Sequence, residues 1–270
     1  MSGKLAGMSA IAGRFASLRD RGEKALVPFV TGGDPPIEHL PMILRTLESG
    51  GADLIEVGLP FSDPIADGPT IQASSQRSLD RGTRLEDIFE AVAKASVGVP
   101  VIYMGYTNVA LRRGFGRFAK GARESGAAGA LLSDLTPEEA GDWQAAAKEA
   151  GLDTVFLVAP TSTNARIELA CGATTGFVYC VSRTGVTGAE NRVPADVRET
   201  VARVKRHTSL PVCVGFGISQ PEHVRMVCEV ADGAVVGSHL VNLLAETWRE
   251  GSGREKLQEA VAGLKAASRI

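Results

Sequence analysis

Short runs rich in Val, Ile and Leu alternate along the chain with longer stretches whose apolar residues recur at helical spacing, and the alternation continues from end to end. Eight runs read as strands: "ALVPFVT" (25–31), "DLIEVG" (53–58), "VPVIYMGY" (99–106), "GALLSD" (129–134), "DTVFLVA" (153–159), "GFVYCVSR" (176–183), "PVCVGFG" (211–217) and "GAVVG" (233–237). Between them, "RLEDIFEAVAKAS", "PEEAGDWQAAAKEAG" and "VPADVRETVARVKRH" carry acids toward their starts and bases toward their ends, as a helix dipole prefers. Eight strand–helix units predict parallel pairing with helices outside, and closure into a (β/α)8 TIM barrel. Extra N-terminal and C-terminal helices are expected at about 4–21 and 254–268. The rival, an open doubly wound sheet, usually carries G-x-G-x-x-G after its first strand, and "VTGGDPP" is not that turn. No linker, low-complexity tract or exact repeat interrupts the pattern, so residues 1–270 read as a single TIM-barrel domain.

Composition narrows the setting. The 270 residues are 44% hydrophobic and 22% charged, enough for a large core, and 29 basic against 31 acidic residues point to neither a nucleic-acid nor a membrane surface. Cys171, Cys180, Cys213 and Cys228 have no C-x-x-C spacing and read as buried free thiols of a reducing compartment. No apolar run approaches the roughly 18 residues of a membrane span and the N-terminus lacks a signal-peptide core, so the expected location is cytoplasmic.

In a barrel of this kind, chemistry gathers at the C-terminal ends of the strands. No lysine lies in or just after any of the eight runs, which argues against an imine-forming aldolase. His39, His207 and His223 fall in helical stretches and only His239 follows a strand end, too few for a histidine-ligated metal. Arg183 is the single strand-end cation; the remaining charged groups are Glu56, Asp63, Asp67 and Asp134, all acids. Alternation puts Leu54, Glu56 and Gly58 on one face of the second run and Ile55 and Val57 on the other. The aliphatic pair suits the helix layer, so Glu56 points into the barrel. A buried carboxyl without a cation keeps its proton to higher pH, which makes it a general acid and base near neutrality. Satisfied by Tyr106, Tyr179 or backbone groups, it would instead be structural. Asp67 alone is the weaker candidate, since a loop aspartate commonly caps a turn or helix.

Glycines form a second cluster at the ends of the late strands: "SRTGVTGAEN" (182–191), "GFGIS" (215–219) and "VGSH" (236–239). Exposed backbone amides and a helix N-terminus hold phosphate without a cation, and such sites are expected after strands seven and eight. The residues alone thus describe a metal-free barrel enzyme that does carboxylate acid–base chemistry on a small phosphate ester.

"LPFSDPIADGPTIQ" and "SRTGVTGAEN", with "FVTGGDP", "GFGIS" and "VVGS", resemble the tryptophan synthase alpha subunit family over roughly residues 5 to 269. The resemblance implies a TIM barrel that cleaves indole-3-glycerol phosphate to indole and glyceraldehyde 3-phosphate in the last steps of tryptophan biosynthesis. Glu56 would then be the acid–base group and Asp67 would steady the indole N–H. Phosphate would lie against Gly188, Gly217, Gly237 and Ser238, and indole against Phe29, Tyr106, Leu131, Tyr179 and Phe216. The loop with Arg183, Gly185 and Thr187 would close over substrate, Thr187 meeting Asp67. Exposed Pro60, Phe61, Asp63 and Pro64 would meet a beta subunit in an alpha2beta2 heterotetramer. No cofactor is expected in this chain, pyridoxal phosphate belonging to the beta partner.

Three places depart from the family pattern: Thr136 in "SDLTPEE", Thr163-Asn164-Ala165 in "TSTNARI", and His239, which stands where a small residue is usual beside the phosphate. Two alternatives remain, a standalone indole-releasing lyase and a subunit that mainly activates its partner.

Overall fold

A computed structural model of the chain describes residues 8–181, 195–215, 217–249 and 252–270. The eight strands form one closed parallel barrel in sequence order, β1 Ala25–Thr31, β2 Ile55–Gly58, β3 Val101–Gly105, β4 Ala127–Leu132, β5 Asp153–Val158, β6 Val178–Val181, β7 Val212–Gly215 and β8 Gly233–Val236, with β8 returning to β1. Seven of the eight expected runs contain their strands. β4 begins two residues before the expected run, because Ala127 and Ala128 follow a positive-φ glycine, Gly126, and carry too little side chain to announce a strand. The N-terminal helix, expected from about residue 4, covers Ala10–Asp20; Ser9 caps it by accepting the Ala12 N–H at 3.2 Å. The C-terminal helix is Arg254–Ala267. His207 lies in a turn just beyond the helix Ala195–Val204 rather than within it.

Two apolar clusters follow from the strand alternation. Ile55, Val57, Tyr103, Val178 and Val214 face outward and pack beneath helical residues such as Leu44, Phe118 and Trp143. Val27, Leu54, Ile102, Leu131, Phe177 and Val235 face inward, and Ile11, Phe15 and Leu18 of the N-terminal helix join them. The barrel interior is therefore a packed plug at that end, and a cavity that reaches the inward-facing side chains opens toward the other. All four cysteines are buried free thiols.

Below β2 the plug is tied to the C-terminal helix by a charged cluster. Lys265 is buried, and its Nζ donates to Asp53 Oδ2 at 2.9 Å, to the Lys24 carbonyl at 3.2 Å and lies 3.1 Å from Glu23 Oε2. Asp53 also accepts the Leu26 N–H at 2.9 Å, and Lys265 holds the Glu23 carboxyl below its ordinary pKa. Removing one partner strands a buried charge. Lys265→Ala is expected to cost about 3 kcal/mol of unfolding free energy by urea denaturation; a loss under about 0.5 kcal/mol would mean that water replaces the amine freely.

Candidate functional site

Glu56 stands at the mouth of this plug. It pairs in register with Phe29 on β1 and Ile102 on β3, so it shares the inward face with them. Its side chain is 1% exposed, and neither carboxylate oxygen has a hydrogen-bond partner among the described residues. Tyr106 and Tyr179 do not satisfy it. Burial, and secondarily the charge of Asp67, push its pKa up to about 8. The group is mostly protonated at neutral pH yet can release its proton within the working range of an enzyme.

Asp67 is placed by the loop after β2. Its N–H donates to the Pro64 carbonyl at 3.0 Å, and the Tyr106 hydroxyl donates to its Oδ2 at 3.1 Å while accepting the Ala66 N–H at 3.0 Å. Gln72 donates to the Asp67 carbonyl at 2.8 Å. Burial raises the pKa of Asp67 and the Tyr106 hydrogen bond opposes that rise. The helix that follows, Pro69–Asp80, is fastened to the loop after β1: Arg77 and Arg81 reach Asp34 at 2.6 and 2.9 Å, Ser78 donates to the Gly32 carbonyl at 2.7 Å, and Thr31 and Ser74 share a 2.6 Å hydrogen bond. Asp67, one residue before Gly68 at the cap of this helix, is held from both sides. The Asp34 brace has no local signature, because its partners are 43 and 47 residues away.

Glu56 and Asp67 line a cavity of about 310 Å³ together with Phe29, Ile71, Met104, Tyr179 and Val235. Its other wall is Gly217, Ile218 and Ser219 after β7, and Gly237, Ser238, His239 and Asn242 after β8. Gly217 has φ +73°, a conformation that a side chain disfavours. Ser238 opens the helix Ser238–Thr247, whose first amides have no carbonyl one turn earlier to accept them. These donors suit an anion. Two acids on an apolar floor facing a rim of amides can therefore exchange protons with a flat apolar group while holding an anionic tail.

Several expected residues sit elsewhere. Leu131 is buried in the inner core and is not among the residues lining the cavity, although it pairs in register with Met104, which is. Tyr106 is buried, hydrogen-bonded to Asp67, and is not among the residues lining the cavity. Of Pro60, Phe61, Asp63 and Pro64, only Asp63 is exposed; Phe61 stacks on Tyr106 with centroids 5.0 Å apart, because a ring beside an apolar face leaves water. The loop instead exposes Ile65, 86% accessible. Arg183, Gly185, Thr187, Gly188 and Phe216 lie outside the described residues. Met104 and Val235 line the wall without having been named; alternation onward from Ile102 reaches Met104.

Tyr179 depends on a glycine. A Cβ on Gly215 would overlap the Tyr179 hydroxyl. Gly215→Ala is expected to displace the ring and cost about 1–3 kcal/mol of stability, with weaker binding of a flat apolar ligand. Unchanged thermal unfolding and unchanged binding would show that the ring has room to turn aside.

Among the described residues no group of three His, Cys, Asp or Glu side chains is arranged to hold a metal ion, and no helix is long and apolar enough to cross a membrane.

Residues 15–269 match the sequence model of the family described as tryptophan synthase alpha chain. The tryptophan synthase alpha chain of Geotalea uraniireducens is 49% identical over 261 residues, 96% of this chain and 97% of that protein. That of Geobacter sulfurreducens is 47% identical over 250 residues, 92% and 95% of the two chains. Among solved structures, tryptophan synthase from Mycobacterium tuberculosis superposes with a TM-score of 0.90 at 37% identity, covering 97% of this chain and 99% of that one. The alpha subunit from Legionella pneumophila gives 0.89 at 32% identity, covering 97% and 98%.

Proposed function

The chain belongs to the tryptophan synthase alpha chain family, lyases of tryptophan biosynthesis, and from that premise we propose that it cleaves indole-3-glycerol phosphate to indole and glyceraldehyde 3-phosphate with Glu56 moving the protons. The observation that carries this reading is a carboxyl without a partner among the described residues, buried beside a second acid, whose pKa stands at about 8. Glu56 begins protonated and gives its proton to the indole carbon that bears the glycerol chain. Positive charge then spreads to the ring nitrogen, whose N–H donates to Asp67. The bond between ring and side chain breaks as the Glu56 carboxylate takes the proton of the adjacent glycerol hydroxyl, leaving an aldehyde and restoring the neutral acid. The protonated ring accepts the bonding electrons, so neither imine nor metal is required.

Phe29, Tyr179 and Met104 flank the indole, and the amides at Gly217, Gly237 and Ser238 receive the phosphate. The same reading assigns a beta subunit as partner in an alpha2beta2 assembly, with pyridoxal phosphate in that subunit. Asp63 and the exposed Ile65 are the anchors on this side, a charged and an apolar contact of the kind that carries interface energy.

Indole release from indole-3-glycerol phosphate by the purified chain, alone and with a beta subunit, tests the reading. Cleavage that the partner strongly enhances is expected. Full turnover without it would indicate a standalone lyase, and no indole under either condition would overturn the assignment.

A further inference from the structure

His239 is the one side chain lining the cavity, among the described residues, that can gain a positive charge; Glu56, Asp67 and Tyr179 can only lose one. It is the second residue of the helix Ser238–Thr247, half-buried, one turn before Asn242 and next to Ser238, so it shares the corner with the free amides of that helix. Those amides present roughly half a positive charge. A phosphate ester carries up to two negative charges at neutral pH, and the cavity already holds two acids. The rim as described thus falls short of its ligand in positive charge.

On the reading of this cavity as a phosphate-ester site, we propose that His239 supplies the missing charge, binding the phosphate as imidazolium and taking up a proton as the dianion arrives. The charged surroundings fit this role. Burial holds the free imidazole below its ordinary pKa, and Glu246 on the same helix opposes that. Across the cavity stand Glu56 and Asp67. From the loop after β7, Ser219 faces His223, its N–H 3.4 Å from Nδ1. The packed helix Pro69–Asp80 contributes Arg77, paired with Asp34, and Arg81 just beyond it is paired with the same carboxylate. β1 contributes no titratable side chain, and Gly253, which caps the C-terminal helix, approaches the far end at Thr247. The free site therefore keeps His239 neutral near pH 7.5, and a bound dianion reverses the preference. By linkage, the anion must bind more tightly as pH falls.

Inorganic sulfate is the probe, because it remains a dianion over the range from about pH 5.5 to 8.5 in which imidazole titrates. The background is Glu56→Gln, so that Glu56 contributes no proton. In that variant sulfate affinity by calorimetry is expected to rise about fivefold from pH 8 to pH 6, and saturating sulfate to raise the His239 midpoint in ring NMR by about one unit. His39, His207 and His223 serve as internal references in the same spectra. Adding His239→Asn is expected to leave a flat, weak sulfate profile. An unchanged pH dependence in the double variant, or an unmoved His239 midpoint, overturns the proposal. If the wild-type chain still releases indole in that case, only the role of His239 is lost. No sulfate binding at any pH overturns the phosphate corner as well.

Discussion

Glu56→Gln is expected to lower indole release by about 10³-fold, because the amide can neither give nor take the proton in either half of the reaction. The same substitution is expected to change how stability depends on pH. The Glu56 carboxyl titrates at an ordinary 4.5 in the unfolded chain and at about 8 in the folded one. Between those values the folded chain holds one proton more than the unfolded chain, so stability falls as pH rises. The penalty is absent below the unfolded pKa and complete above the folded one, up to about 5 kcal/mol across the window. Gln carries no such linkage. Urea unfolding of both proteins at pH 5 and pH 8 should show the difference in stability moving toward Gln as pH rises. A wild-type chain with no excess loss over that window would mean that Glu56 is ionised and satisfied in the fold, and the acid-first mechanism would fall with it.

Asp67→Asn carries the second-largest effect. Asn fills the same space and can still accept the Tyr106 hydroxyl, so the loop after β2 should keep its shape. What disappears is the negative charge facing the indole nitrogen as the ring becomes cationic. Loss of one such electrostatic contact is expected to reduce kcat by about 10²-fold, with less change in KM. A second signature separates this from a structural role. The charge of Asp67 contributes to the raised pKa of Glu56, so its removal should move the alkaline limb of the pH–rate profile to lower pH. A limb that stays in place with kcat within about twofold of wild type would show that the two carboxyls act independently of each other.

The route from sequence to site was uneven, for identifiable reasons. Glu56 was legible because a strand alternates strictly, so one acid among Leu54, Ile55 and Val57 reveals its face without any knowledge of neighbours. The glycine cluster was legible only as a set: one glycine after a strand is what any turn needs, whereas three such loops fall where a barrel of this kind holds phosphate. Phe61 was misplaced because whether a loop ring faces water depends on what stands beside it, here Tyr106. Alternation puts Leu131 on the inward face, where it lies, and does not tell whether an inward residue lines the cavity or packs within the core.

The sequence by itself determined the eight strands, their order, the inward direction of Glu56 and the family to which the chain belongs, all of which reside in local periodicity and contiguous motifs. Tertiary structure alone decided that Glu56 finds no partner among the described residues, that Tyr106 holds Asp67 from 39 residues away, that Asp34 gathers Arg77 and Arg81, and that His239 lines the same cavity as Glu56 and Asp67. The shift of Glu56 depends on what surrounds it in space, because desolvation and charge act through distance and dielectric rather than through order along the chain.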